Sequence, residues 1–407
     1  MIKSKLLENK KTIIYFSSTI ISMILAFGTS SILTKLLDPD VFGLYRYATN
    51  FLLVIPTFFE FGLHFSVSRL VAEKNGDESD STVFVGTLIV TILGLLLTLL
   101  LGILILFSNV FDINFGSLLD IKIVFPFMFV FMLRILVMQV YQGTGKTNML
   151  AMINVFQYIV LLLVVLMGNY LSDLTFEFMI ITFCLSWFIV MIPYFSSLKV
   201  NFSNFKEDIK SIFIETKNNG LYVYLGSIVT SSSSNVIALI TGSLYGYVEY
   251  GYYSLALSFS QAFTVISSVM TVLNFKKNVN QKSISKSDLQ IMIGLNILMY
   301  LLILIFIKPI FNLFFTPDYF PAIKYLLVLG IVYSLNGISA YFNRFFVARG
   351  LGKVTTRNSI IYAIMNIIAT ILLVPNFELM GIVYANLVAN ITGLLSYLIA
   401  YRQYLRE

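Results

Sequence analysis

Cysteine, histidine and tryptophan occur once each, and charged residues make up only 12% of the 407 positions. The lone thiol, Cys184, can form no intramolecular disulfide. With His64 as the only histidine, it builds no cysteine–histidine metal cluster either. Soluble domains carry about a quarter charged residues, so this chain is not a soluble enzyme. A nucleophile–base pair is missing as well, and no catalytic residue, metal site or cofactor is expected. The stretch QGTGKT, residues 142–147, imitates the end of a phosphate loop, G-x-x-x-x-G-K-[ST]. The required first glycine is Val140, and the residues before it, IKIVFPFMFVFMLRILVMQVY, are too long and too apolar for a strand.

Long apolar runs, by contrast, recur along the whole chain. Hydrophobic residues reach 58% and the mean hydropathy is +0.88. A helix needs about 20 apolar residues to cross a bilayer, and TLIVTILGLLLTLLLGILILF lacks the alternation of a barrel strand. About twelve spans are expected: 12–33, 43–65, 82–107, 120–141, 149–167, 176–196, 218–241, 251–273, 289–311, 322–345, 358–374 and 380–400. MIKSKLLENKK resembles the start of a signal peptide, but the run after it reaches Leu33 without a small-residue cleavage site, so it reads as a retained span.

The connections sort by charge. One set holds Lys3, Lys5, Lys10, Lys11, Arg69, Lys74, Lys146, Lys199, Lys206, Lys210 and Lys217, then Lys276, Lys277, Lys282, Lys286, Arg349, Lys353, Arg357, Arg402 and Arg406. The other is mostly acidic, with Asp38, Asp40, Asp112, Asp173, Glu249, Asp318 and Glu378. Basic residues mark the cytoplasmic side, so both termini are expected there. The net charge of +7 is then a topology signal rather than a sign of nucleic-acid binding.

An internal repeat is visible. DPDVFGLYRYA and GYVEYGYYSLA match with Gly43 on Gly251, 208 positions apart. YQGTGKT and ARGLGKVT match with Gly143 on Gly350, 207 apart. Two matches at nearly one offset divide the chain into an N-terminal half, 1–200, a cytoplasmic linker, 201–217, and a C-terminal half, 218–407. Six spans in each make the halves parallel, as in several transporter folds. Each Gly-Lys loop reads as a tight cytoplasmic turn, with Lys146 and Lys353 as topology charges or substrate contacts.

Ionisable groups inside spans cost about 2.5–3.5 kcal/mol on insertion scales and mark functional candidates. Arg134 lies two turns above the cytoplasmic end of span four, and Arg344 lies nearer the matching end of span ten, where it can snorkel. Both suit a phosphate, because the planar guanidinium binds oxyanions bidentately. Arg46, at the outer end of span two, reads as an interfacial anchor or an outer phosphate contact. Glu60 and His64, four apart on one helix face, read as an ion-coupling pair or as a satisfied pair closed by Arg69. Pro56 is expected to kink that helix. Lys35, Lys122, Lys308 and Lys324 read as snorkelling ends. Asn50, Asn154, Asn235, Asn296, Asn336 and Asn366, with the run TSSSSN, read mostly as ties between helices.

LLDPDVFGLYRYA, FEFGLHFSVSRL, QGTGKT, GYVEYGYYSLA and ARGLGK together give the chain a family likeness. It resembles the O-antigen and polysaccharide-unit flippases of the multidrug/oligosaccharidyl-lipid/polysaccharide exporter superfamily. The resemblance implies an all-α, MATE-like polytopic fold with two six-helix halves, a cationic central cavity and alternating access. It implies movement of an undecaprenyl-pyrophosphate-linked oligosaccharide across the bacterial cytoplasmic membrane, with H⁺ or Na⁺ as coupling ion. Partners would be membrane lipid, a polysaccharide polymerase and a chain-length regulator. Arg134 and Arg344 would be the cavity cations. The alternatives are a drug or cation antiporter, a major-facilitator carrier, and a membrane glycosyltransferase or polymerase. A cation exporter wants acidic cavity residues, and Glu60 stands nearly alone. A facilitator wants a basic loop where SRLVAEKNGDESDS stands, and a polymerase wants a large outer loop.

Overall fold

The computed structural model describes residues 2–74, 76–110, 122–170, 175–202, 204–221, 224–225, 228–229, 235–265, 267, 270, 283–349 and 351–406. Asp112, Asp173, Lys276, Lys277, Lys282, Gly350 and the serine run 230–234 fall outside these residues, as do parts of the expected spans 218–241 and 251–273. Among the described residues the chain is all helix with short connections.

The α-helices are α1 Ile2–Leu36, α2 Pro39–Val54, α3 Leu63–Glu73, α4 Gly76–Val110, α5 Met128–Gly143, α6 Thr147–Tyr170 and α7 Phe176–Ser197. There follow α8 Phe205–Glu215, α9 Ile237–Tyr245, α10 Tyr247–Ser260, α11 Lys286–Phe314, α12 Ala322–Ala348 and α13 Gly352–Arg406. Eight helices are long and apolar enough to cross a membrane, or nine if the bent pair Pro39–Phe58 and Leu63–Glu73 counts as one span. One of the eight is two helices joined at Glu378, where φ is 51°. Their lipid-facing sides are bare hydrocarbon: Leu99 on α4 is 61% exposed and Ile305 on α11 is 66% exposed. Such exposure is stable only against acyl chains. Cys184 is buried in α7.

The chain divides into two compact units, Met1–Thr29 with Tyr47–Ile228, and Ser30–Arg46 with Val229–Glu407. In the first, α5 packs on α3 and α4, α6 on α7, and the short α8 on α3 and α4. A polar latch holds α8 there. Asp208, 1% exposed, accepts hydrogen bonds from Lys74 Nζ at 2.6 Å, Ser81 Oγ at 2.5 Å and Thr82 Oγ1 at 2.8 Å. Burial by itself would raise this carboxyl's pKa; the three donors and the lysine charge outweigh it and hold it below the ordinary value of 3.8. Residues 66–73, expected in a loop, continue as α3 instead, because the helix runs on from the break at Gly62 as far as this latch.

In the second unit α12 packs on α10, α11 and α13. One face of α12 carries Tyr341, Phe342, Phe345 and Phe346, which meet Met292 and Tyr397 in an aromatic core. The segment before Arg46 meets its own repeat: a Cβ on Gly251 would stand 3.0 Å from Gly43 Cα, and Arg46 Nε donates to Ser254 Oγ at 3.2 Å. Both pairs are 208 positions apart, so each residue faces its counterpart, as at an approximate two-fold axis.

The turn QGTGKT closes α5. Gly145 is left-handed, with φ 67°, and Lys146 N–H reaches Tyr141 O at 2.9 Å, the long bond of a Schellman cap.

Candidate functional site

The first charged cluster grows from the break in span two. A 3-10 turn, Ile55–Phe58, carries Pro56 near its start, yet the chain bends by 68° further on, at residues 59–62. The bend comes from left-handed backbone at Phe61, φ 49°, and Gly62, φ 78°. Pro56 thus starts the 3-10 turn, and the sharp change of direction is displaced toward the glycine. The exposed carbonyls find partners: Tyr224 Oη donates to Phe58 O at 2.5 Å, and Ser66 Oγ donates to Gly62 O at 3.1 Å. Thr216 Oγ1, in the π-helical turn Thr216–Gly220, donates to Ser66 Oγ at 2.9 Å.

Glu60 sits inside this break. Glu60 and His64 are 6% and 5% exposed, and His64 Nδ1 lies 2.6 Å from Glu60 Oε2. The contact is an ion pair by distance, but Nδ1 meets no acceptor in hydrogen-bond geometry, and Glu60 Oε1 has no partner among the described residues. The nearby cation is Arg134, within electrostatic reach of the carboxylate. Its guanidinium lies over the Trp187 ring at 4.3 Å, a cation–π contact, while its Nε is buried without a hydrogen bond. Arg69 does not close this pair. It bonds Glu73 at 3.2 Å and Glu215 at 2.9 Å, outside the cluster.

The second candidate is a polar cleft of about 410 Å³ between α12 and both parts of α13. Asn336, Ser339, Asn343 and Arg344 line it from α12, spaced as one helix face, opposite the aromatic face of the same helix. Asn358 and Tyr362 come from the first part of α13, and Asn390 and Tyr397 from the second. Internal bonds set these amides. Asn336 Nδ2 donates to Asn390 Oδ1 at 3.3 Å, Asn343 Nδ2 donates to Tyr397 Oη at 2.7 Å, and Ser396 Oγ donates to Asn358 Oδ1. Arg344 is exposed at the cleft and makes no hydrogen bond or ion pair among the described residues.

The other expected contacts lie elsewhere. Arg46 binds α10, through Ser254 and Ser258. Lys146 borders a small niche with Asp80 and Lys199, which pair at 2.6 Å. Lys353 is exposed at the start of α13. The structure therefore brings Glu60, His64 and Arg134 together and seats Arg344 among asparagines. Of the asparagines singled out in the sequence only Asn336 lines the cleft; Asn343, Asn358 and Asn390 carried no separate signal except their 3- and 4-residue spacing to other polar residues.

Solved structures with the same fold are transporters rather than enzymes. The lipid II flippase MurJ, in its inward closed conformation, matches with TM-score 0.71 at 19% identity, covering 96% of this chain and 87% of that one. An inward-facing multidrug resistance MATE family transporter of the MOP superfamily matches with TM-score 0.65 at 15% identity, over 96% and 95%. A MOP superfamily transporter from Pyrococcus furiosus matches with TM-score 0.60 at 15% identity, over 98% and 96%. At these identities the likeness is one of fold: an all-α, MATE-like membrane protein. No curated protein matches the chain in sequence. The polysaccharide biosynthesis protein family matches residues 9–274, and the chain belongs to that family.

Proposed function

We propose that this chain is a flippase for an undecaprenyl-pyrophosphate-linked oligosaccharide, an O-antigen, capsule or exopolysaccharide repeat unit, in the bacterial cytoplasmic membrane. Its termini are cytoplasmic and the halves 1–200 and 218–407 alternate access to the two sides. The observation that carries this reading is Arg344, an exposed guanidinium near the end of an apolar candidate span, without an anionic partner among the described residues, at the edge of a neutral polar cleft. A pyrophosphate headgroup supplies the missing anion, and its polyprenyl tail stays in lipid. Unaided, that headgroup cannot cross hydrocarbon.

Arg134 is the second cation, held in reserve. Glu60 lies within electrostatic reach of it, so a proton on Glu60 would remove a nearby anion and free the guanidinium for the substrate. This couples flipping to a proton rather than to sodium. The burial of Glu60 speaks against a cation exporter, whose site would need an acid open to its cargo.

The test is reconstitution in liposomes with a fluorescent undecaprenyl-pyrophosphate oligosaccharide in the lumenal leaflet, followed by exposure to an external lectin. Protein-dependent exposure is expected, reduced about 10- to 100-fold by Arg344→Ala, the worth of hydrogen bonds to a charged group. Glu60→Gln should make the rate independent of an imposed proton gradient. No exposure under either a proton or a sodium gradient would sink the flippase reading.

A further inference from the structure

We infer that the α12–α13 cleft is a sugar-recognition subsite, which reads the first sugar beside the phosphate and takes it only when that sugar is uncharged, a hexose or an N-acetylhexosamine. The inference rests on the reading of Arg344 as the phosphate anchor, and adds the class of sugar and the residues that select it.

Three observations carry it. The first is an unmet donor. Asn358 is 1% exposed, its Oδ1 is taken by Ser396, and its Nδ2 has no hydrogen-bond partner among the described residues. Ser339 Oγ, across the cleft on α12, is likewise buried without a partner. Buried polar groups are almost always satisfied, so two unmet ones on the wall of the same cleft mark the place of a ligand rich in acceptors and hydroxyls. A hydroxyl serves both, accepting from Asn358 and either giving to or accepting from Ser339.

The second observation is the charge of the wall. Apart from Arg344 every described residue lining the cleft is neutral, mostly Asn, Ser and Tyr. A carboxylate on the sugar would be desolvated there with no cation except the one already committed to the phosphate. The amides are also held in place: Asn343 gives its Nδ2 to Tyr397, which presents its Oδ1 as an acceptor for a sugar hydroxyl. The third is size. At about 410 Å³ the cleft falls within the range of small-molecule sites, roughly 300–1,000 Å³, with room for a sugar ring and an adjoining phosphate.

The experiment measures binding to the full chain in nanodiscs of three short-tailed probes: farnesyl diphosphate, its N-acetylglucosamine conjugate and its glucuronate conjugate. The N-acetylglucosamine probe should bind about tenfold tighter than farnesyl diphosphate, as one or two added hydrogen bonds allow. The glucuronate probe should gain nothing. Asn358→Ala should erase the sugar gain and leave farnesyl diphosphate binding unchanged. Ser339→Ala, which removes a hydroxyl with no internal partner, should cut the gain severalfold and decides the matter if Asn358→Ala unfolds. Arg344→Ala should weaken all three probes together.

A wild-type chain for which the sugar adds nothing, a gain that survives both wall variants, or a preference for glucuronate would each overturn the subsite while leaving the phosphate anchor standing. Loss of the anchor reads differently: farnesyl diphosphate binding that Arg344→Ala does not change removes the flippase reading at this cleft and the subsite with it.

Discussion

Two arginines lie within apolar helices of this chain, and their surroundings differ in one decisive respect. Arg134 stacks on Trp187, with the carboxylate of Glu60 within electrostatic reach in the same unit. Arg344 stands among neutral amides and hydroxyls with no anion beside it among the described residues. An arginine in a membrane span is therefore not a substrate cation by position alone. What separates a bound countercharge from a waiting one is the neighbour it already has.

Breaking the first arrangement should cost the most. Glu60→Ala takes the carboxylate from buried His64, 2.6 Å away, and from the field at Arg134, and should destabilise the fold by about 3–5 kcal/mol, read as a lowered unfolding temperature in detergent. Glu60→Gln, which keeps the shape, should cost less. A Glu60→Ala protein as stable as wild type would mean that Trp187 alone satisfies Arg134.

The bend that holds Glu60 comes next. Gly62 has φ 78°, and a side chain there would run into the backbone of Gly220. Gly62→Ala combines strain with overpacking, so a loss of about 1–3 kcal/mol is expected, together with loss of gradient dependence as Glu60 moves. Flipping that stays fully gradient-dependent would separate the bend from coupling.

Much of this architecture is legible in the amino-acid order, because lipid exposure demands long apolar runs and runs of that length cannot hide. The turn at Gly145 and the matching of Gly43 with Gly251 were readable for a similar reason, since glycine adopts left-handed backbone most readily and permits so close an approach. The break at residues 59–62 was not. Pro56 advertises a kink, but the left-handed backbone begins at Phe61, next to a Gly62 that packs on Gly220, and a phenylalanine gives no notice of it. Nor was the cleft. Its asparagines come from three helical segments, and only folding reveals that Asn336, Asn358 and Asn390 share a wall.

An effect of similar size but confined to one helix is expected at the α8 latch, which lies outside both arginine sites and serves as a control. Asp208→Asn should loosen α8 by about 1–3 kcal/mol, seen as faster amide exchange in residues 205–215. Since the carboxyl is held below its ordinary pKa of 3.8, the latch contributes fully above that pH and is lost as pH falls through the lower folded value. Exchange in α8 that rises instead near neutral pH would mean another group governs it. The smallest effect on stability belongs to Arg344→Ala, within about 0.5 kcal/mol as for surface substitutions, despite its large effect on transport. A marked loss of stability there would mean that Arg344 already has a partner in the fold.

The contrast between the two arginines can be read in one measurement: phenylglyoxal labelling of the reconstituted protein at neutral pH, with and without undecaprenyl diphosphate, followed by peptide mass spectrometry. Arg344 should be modified and then protected by the diphosphate, while Arg134 stays unmodified and exposed Arg357 and Arg402 are labelled in both conditions. Protection of Arg134, with Arg344 indifferent to the diphosphate, would contradict the account.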